Sequence, residues 1–183
     1  IAKELHLSRE QVAYRINKFE KEGIIKGYLP IINYSRLGYH NLSLVFFKFN
    51  KRSQISLFKS DLTKSKHRIT TVELMANFDI VMMFVFKDEK ERNEYIAEVL
   101  QKYSSEISDY QILEPYLSSL YPLKFLGINK SLPNTFHEYK QEEYELDDKE
   151  KKILSVIKDN ANTPIIEIAR KTNMSAELIV YKL

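Results

Sequence analysis

One stretch of this chain occurs twice. Shifted by 167 positions, IAKELHLSREQVAYRI at 1–16 overlies IARKTNMSAELIVYKL at 168–183 without a gap. Ile1/Ile168, Ala2/Ala169, Ser8/Ser175, Glu10/Glu177 and Tyr14/Tyr181 are identical. Apolar positions stay apolar at Leu7/Met174, Val12/Ile179 and Ile16/Leu183, and Arg15/Lys182 keeps its charge. Each copy reads as the end of one helix, a tight turn, and a serine that caps the next helix by accepting from its backbone N–H groups. In the first copy residues 1–5 form the tail of a supporting helix, and His6 and Leu7 make the turn. Ser8 is the N-cap, and Glu22-Gly23 ends the helix, with Gly23 able to turn left-handed. Two helices joined this way read as a helix-turn-helix.

Within that second helix Val12, Ile16 and Phe19 fall at i, i+4 and i+7 and form one apolar stripe. The opposite face carries Glu10, Tyr14, Asn17 and Lys21, with Gln11 and Lys18 beside them. Such a face can hydrogen-bond, as a helix lying in a DNA major groove must. The bland alternative, a solvated amphipathic helix, would suit an isolated segment; the repeat argues for a unit that grips something. Arg9, Gln11, Tyr14 and Asn17 are therefore expected at base edges, and Ser8, Arg15, Lys18 and Lys26 at phosphates. Ser175, Tyr181 and Lys182 are the matching candidates in the second copy. After Gly23, the strand formers Ile24, Ile25 and Tyr28, a bend at Gly27 and the return at Ile31 and Ile32 suggest a wing.

From Asn41 the pattern changes to βαββαβ: strand NLSLVFFKFN, helix SQISLFKSDLTKS, strand RITTVELM, a turn at 76–79, strand IVMMFVF, a helix capped by Asp88, and strand ISDYQILEPY. This is the ferredoxin-like arrangement. Its two central strands, 42–49 and 80–86, are apolar on both faces, yet the two helices cover only one. A second copy of the chain is expected on the other, and Val45, Phe47, Val81, Met83 and Val85 are read as that dimer surface.

Pro122, Gly127 and Pro133 punctuate a connector that turns acidic toward Asp147 and Asp148, one of which caps the next helix. The expected layout is a helix-turn-helix with wing over 1–39, an α/β domain over 40–121, a linker over 122–144 and a second helix-turn-helix over 145–183. Both outer units look truncated, and the chain reads as part of something longer. With 28 Lys and Arg against 25 Asp and Glu, the net charge of +3 makes any basic surface local. Zero Cys excludes disulfides and thiolate metal sites, and the absence of a long apolar run or secretory pattern points to the cytoplasm. The four histidines, His6, His40, His67 and His137, lack metal-ligand spacing, and no nucleophile motif stands out. Neither a metal site, a cofactor nor an enzyme is expected.

The stretch LSREQVAYRINKFEKEGIIKGYLPIINYSRLGY at 7–39, the βαββαβ pattern, and Phe78-Asp79 before the third strand together resemble the leucine-responsive regulator family, Lrp/AsnC. LDDKEKKIL at 146–154 is similar to the start of the same module. The resemblance implies an α+β protein, a winged helix-turn-helix followed by a ferredoxin-like (RAM-like) domain, acting as a DNA-binding transcription regulator. It implies double-stranded DNA as partner, a homodimer or higher homo-oligomer, and an amino-acid effector near Asn77 and Asp79. Two departures stand out. The family's turn before that Asp carries Gly, where this chain has Asn77 to supply a positive φ, and the family has one DNA-binding unit per chain. Two alternatives share the layout: an enzyme like the sirohaem decarboxylases, with His40 at its site, and an assembly protein whose helix, carrying Glu10 and Glu20, has lost DNA.

Overall fold

The computed structural model describes residues 2–3, 5–121, 134–139 and 141–183. In chain order the elements are α1 (Arg9–Lys21), β1 (Asn41–Phe49), α2 (Ile55–Leu62), β2 (Arg68–Glu73), β3 (Ile80–Phe86), α3 (Glu89–Lys102), β4 (Ile107–Leu113), β5 (Leu117–Leu120), β6 (Asn134–Glu138), α4 (Asp148–Ile157), α5 (Ile165–Thr172) and α6 (Ala176–Lys182). They form two compact units, Ile31–Glu145 and the pair Ile1–Pro30 with Leu146–Leu183.

The Ile31–Glu145 unit is the ferredoxin-like domain. Its antiparallel sheet runs β2-β3-β1-β4, with β1 and β3 central as the sequence implies. Register decides which apolar face the helices take. Val45 lies opposite Met82 and Phe47 opposite Ile80, while Leu44 meets Met83 and Phe46 meets Val81. Cross-strand partners share a face. Val45, Phe47, Phe49, Ile80, Met82, Phe84 and Phe86 therefore form the core with Ile55, Phe58 and Leu62 of α2 and Ile96 and Val99 of α3. Phe58 sits at its centre, edge-on to Phe47 at 4.9 Å, Phe49 at 5.0 Å and Tyr103 at 4.8 Å. Each such aromatic pair adds about 0.5–1.5 kcal/mol beyond its buried area, so this one ring pins the short α2 to the sheet.

This register corrects the expected dimer surface. Val45 and Phe47 are fully buried beneath the helices and are not available to a partner. Grouping odd-numbered residues of both strands ignored that antiparallel pairing here sets an odd residue of β1 opposite an even one of β3. Val81 and Met83 do lie on the other face, with Leu44 and Phe46, each half-buried. Val85 shares that side opposite Leu42, but both are buried.

Part of the expected linker is structured. Its residues 122–133 lie outside the described residues, but β6 pairs with β5 in a second, two-stranded sheet. Residues 33–40 dock along this segment. Ser35 Oγ is hydrogen-bonded to Nδ1 of His137 (3.0 Å) and accepts from the Glu138 N–H (3.0 Å). The Tyr34 N–H donates to the Phe136 carbonyl (2.9 Å) and the Tyr144 N–H to the Arg36 carbonyl (2.6 Å). Asn33 donates to Gln141 (2.7 Å), and His40 meets Glu143 (2.7 Å). Residues 31–39 thus belong to the sheet unit rather than to the first helix-turn-helix.

In the other unit the internal repeat is structural. His6 (φ 51°) and Asn173 (φ 55°) hold the same left-handed turn position. The Leu7 N–H donates to the Ala2 carbonyl (3.0 Å), and the Met174 N–H to the Ala169 carbonyl (3.1 Å). Ser8 and Ser175 follow with matching extended backbones, and each hydroxyl accepts from the N–H three residues on at 3.2 Å. Ile153, Ile168 and Ile179 form the core of α4, α5 and α6. In α1 the corresponding stripe is only half-covered, and Phe19 is 39% exposed. No strand forms between residues 24 and 33, so the expected wing is an irregular hook. Its amides at Ile24 and Ile25 donate back to the Phe19 carbonyl, and the Tyr28 carbonyl accepts from Ala161 (2.8 Å), which leaves no ladder to build.

Two outcomes follow. Burial pushes the His137 imidazole below its ordinary range, with the charge of His40 adding to the effect and a hydrogen bond to the Pro115 carbonyl opposing it. The unfolded chain therefore binds more protons as pH falls below about 6.5. Stability is full above that pH and is lost as pH falls toward the lowered folded value, by at most about 1.4 kcal/mol per pH unit. Urea titrations from pH 7.5 to 5 should show this loss, and His137→Gln should remove its share of the slope. At the second turn, Asn173→Ala should lower stability by about 1 kcal/mol because alanine resists positive φ, while Asn173→Gly should be neutral or stabilising in the same assay.

Candidate nucleic-acid interface

The first recognition helix owes its start to a closed local circuit. The Ser8 hydroxyl accepts from the Gln11 N–H, and the Gln11 amide oxygen accepts from the Ser8 N–H at 2.9 Å. This capping box satisfies two donors that would otherwise be unpaired at the helix end. It also occupies two residues expected at DNA. Ser8 and the Gln11 carbonyl serve the fold, and the Ser-x-x-Gln spacing was the signal that could have revealed it.

Beyond the cap, Arg9, Tyr14, Arg15 and Asn17 are exposed. Arg9, Arg15 and Asn17 make no side-chain hydrogen bond or ion pair among the described residues. Tyr14 is 71% exposed, so its ring does not pack across the hook. Lys18 faces Glu22 at 3.7 Å, an exposed i,i+4 pair that yields readily to a stronger anion. Lys26 is exposed on the hook after Gly23, whose φ of 70° is the left-handed exit that the sequence implies. The Tyr28 hydroxyl donates to Glu20 at 2.8 Å and so turns one carboxylate of α1 toward the hook. Helical spacing keeps Tyr14, Asn17 and Lys21 on one side, with the cations Arg9, Arg15 and Lys18 around it.

The second copy differs where it matters. Tyr181 is 82% exposed, like Tyr14. Ser175 caps α6 as foreseen. Lys182, however, is taken: its ammonium donates to Asp147 and to Glu150 (3.0 Å). These two carboxylates hold it above the ordinary lysine range. Asp147 and Glu150 are themselves the capping box of α4, so Lys182 ties the end of α6 to the start of α4. Lys182, a candidate DNA contact in the sequence, is thus engaged in an internal tie.

The turn expected to take an effector is also built into the fold. Asp79 accepts from the Phe49 N–H at 2.9 Å, beside the register shift between Lys48 and Phe49. Its own N–H donates to the Phe47 carbonyl at 3.0 Å. Asn77 is exposed and does not adopt positive φ. Elsewhere, His40 and His137 line one cavity of about 200 Å³ with Asn41, Glu114, Tyr116 and Tyr139. Sequence reading singled out His40 alone; β6, which brings His137 to it, was not foreseen. Among the described residues, no group of three or more His, Asp or Glu is placed to hold a metal ion, and no helix is long and apolar enough to cross a membrane.

Comparison with known proteins bears on this arrangement. The family described as winged helix-turn-helix DNA-binding matches residues 1–26 and 146–179, which take in the first copy of the repeat and most of the second. An uncharacterised HTH-type transcriptional regulator of Pyrococcus furiosus is 26% identical over 100 residues, covering 55% of this chain and 67% of its own length. An AsnC family transcriptional regulator from Agrobacterium tumefaciens superposes with a TM-score of 0.58 at 17% identity, over 68% of this chain and 84% of its own. The sirohaem decarboxylase NirDL superposes with a TM-score of 0.60 at 19% identity, over 99% of this chain and 52% of its own. The chain is thus similar in sequence to HTH-type transcriptional regulators and has the Lrp/AsnC type of fold, a helix-turn-helix joined to an antiparallel α/β domain.

Proposed function

We propose that this chain is a cytoplasmic, sequence-preferring DNA-binding transcription regulator of the Lrp/AsnC type, without catalytic activity, that works as a homodimer. The observation that carries the reading is the exposed polar surface of α1. There Arg9, Tyr14, Arg15 and Asn17 stand exposed, and the capping box fixes the start of the helix without drawing on them. Arg15, Lys18 and Lys26 supply the phosphate attraction, and Asn17 has the paired donor and acceptor that reads adenine.

Assembly rests on the open sheet face. Leu44, Phe46, Val81 and Met83 are half-buried there, and Val72 and Leu113, in register with Val81 and Leu44, are 48% and 43% exposed. Leaving large apolar side chains in water costs about 1.5–3 kcal/mol each relative to burial, and a two-fold pairing of sheets removes that cost for both copies at once. An amino-acid effector enters this proposal as a ligand that shifts assembly.

The enzyme alternative draws on the likeness to NirDL and on His40 and His137. Their cavity of about 200 Å³ is smaller than the roughly 300–1,000 Å³ that encloses drug-sized ligands, and a tetrapyrrole is larger still. The regulator reading is the better supported.

Asn17→Ala should lose about 1–3 kcal/mol of discrimination at one or two base pairs and leave binding to random duplex unchanged. Selection from a randomised DNA pool measures both, and an equal loss on every sequence would remove Asn17 from base reading. Phe46→Asp should give a folded monomer by light scattering, whereas Phe47→Asp should not fold, since its site lies under α2. Parent protein of monomer mass at micromolar concentration, with or without added amino acids, would sink the dimer.

A further inference from the structure

We propose that the two helix-turn-helix copies are not equivalent DNA readers: α1 carries DNA contacts that the matching residues of α6, Ala176–Lys182, do not make. The inference rests on the regulator reading above. The two helices correspond residue for residue in the repeated sequence and share the same turn, the same serine cap and the same exposed tyrosine. Any difference in use must therefore come from side-chain chemistry rather than from backbone geometry.

That chemistry diverges at several of the matched positions. Arg9 is replaced by Ala176, Gln11 by Leu178 and Ala13 by Val180, while Glu10 is kept as Glu177. Over residues 9–15, the stretch that Ala176–Lys182 matches, the cations Arg9 and Arg15 outweigh Glu10. Along α6, Lys182 stands against Glu177, and Val180 is 59% exposed. Phosphate attraction supplies most of the sequence-independent affinity of a DNA-binding helix, and it needs cations that can leave their present partners.

Lys182 cannot leave cheaply. Asp147 and Glu150 both hold its ammonium, and the lysine side chain is only 20% exposed. Turning it to a phosphate would strip both carboxylates of their cation while bringing an anion toward them. With the lysine in place, the flank of α6 that should meet a DNA backbone is electrically closed. Tyr181 is left as an exposed side chain with a hydroxyl, next to a cation already held by Asp147 and Glu150.

The test uses the full chain and double-stranded DNA of random sequence, with affinity measured across a salt series. Arg15→Ala should weaken binding and lower the slope of log affinity against log salt by about one unit. Lys182→Met should leave that slope and the affinity unchanged while lowering the unfolding temperature, because the tie between α6 and α4 is lost. Tyr181→Ala, at a site without burial, keeps the test valid if Lys182→Met fails to fold: it should leave binding unchanged, whereas Tyr14→Ala should weaken it. Binding losses of equal size in Tyr14→Ala and Tyr181→Ala, or a slope lowered by Lys182→Met, would overturn the inference while leaving the regulator reading intact. A parent chain that binds no duplex at all would overturn both.

Discussion

The antiparallel pairing of β1 with β3 is the constraint on which the α/β unit depends. Once Val45 is set against Met82 and Phe47 against Ile80, every other side chain in the two central strands has its side assigned. One face then closes over Phe58 and the helices, and the other keeps Leu44, Phe46, Val81 and Met83 half in water. A slip of a single residue would exchange the two sets. The bond from Asp79 to the Phe49 amide guards against that slip, because it anchors the turn before β3 to one residue of β1.

The helix-turn-helix unit depends on a different constraint, a backbone one. A left-handed residue at His6 and at Asn173 reverses the chain within a single step, and a serine then restarts the helix. Around this fixed turn the two copies have separated in chemistry. One exposes arginine and asparagine; the other turns its cation inward to a capping box. The same geometry can thus present an open electrostatic surface or a closed one, depending on a few residues.

Much of this was legible in the sequence, for identifiable reasons. The helix caps at Ser8, Asp88, Asp147 and Ser175 and the order of strands and helices through Leu113 follow from side-chain type and apolar spacing, which are local. Which faces β1 and β3 share was not legible, because it depends on a pairing between residues some forty positions apart, which period-2 alternation alone leaves open. β6 escaped notice because Asn134-Thr-Phe-His-Glu lies in a stretch punctuated by proline and turning acidic, and its partner strand is equally short. At the candidate site the exposed residues of α1 were foreseen. The roles of Gln11 and Lys182 were not, because each depends on a specific partner rather than on its place on a helical wheel.

The seam between residues 33–40 and 134–145 has a mechanical consequence. These two stretches are the first and last of the Ile31–Glu145 unit, and Asn33–Gln141, Ser35–His137, Arg36–Tyr144 and His40–Glu143 fasten them to each other. Tension entering along the chain from either side meets this seam before it reaches the four-stranded sheet. Its bonds are few, several are partly wetted, and two involve histidine, so they yield first. Force on the chain would therefore release length from the edge of the domain in a small first step, while the Phe58-centred core stays loaded but intact.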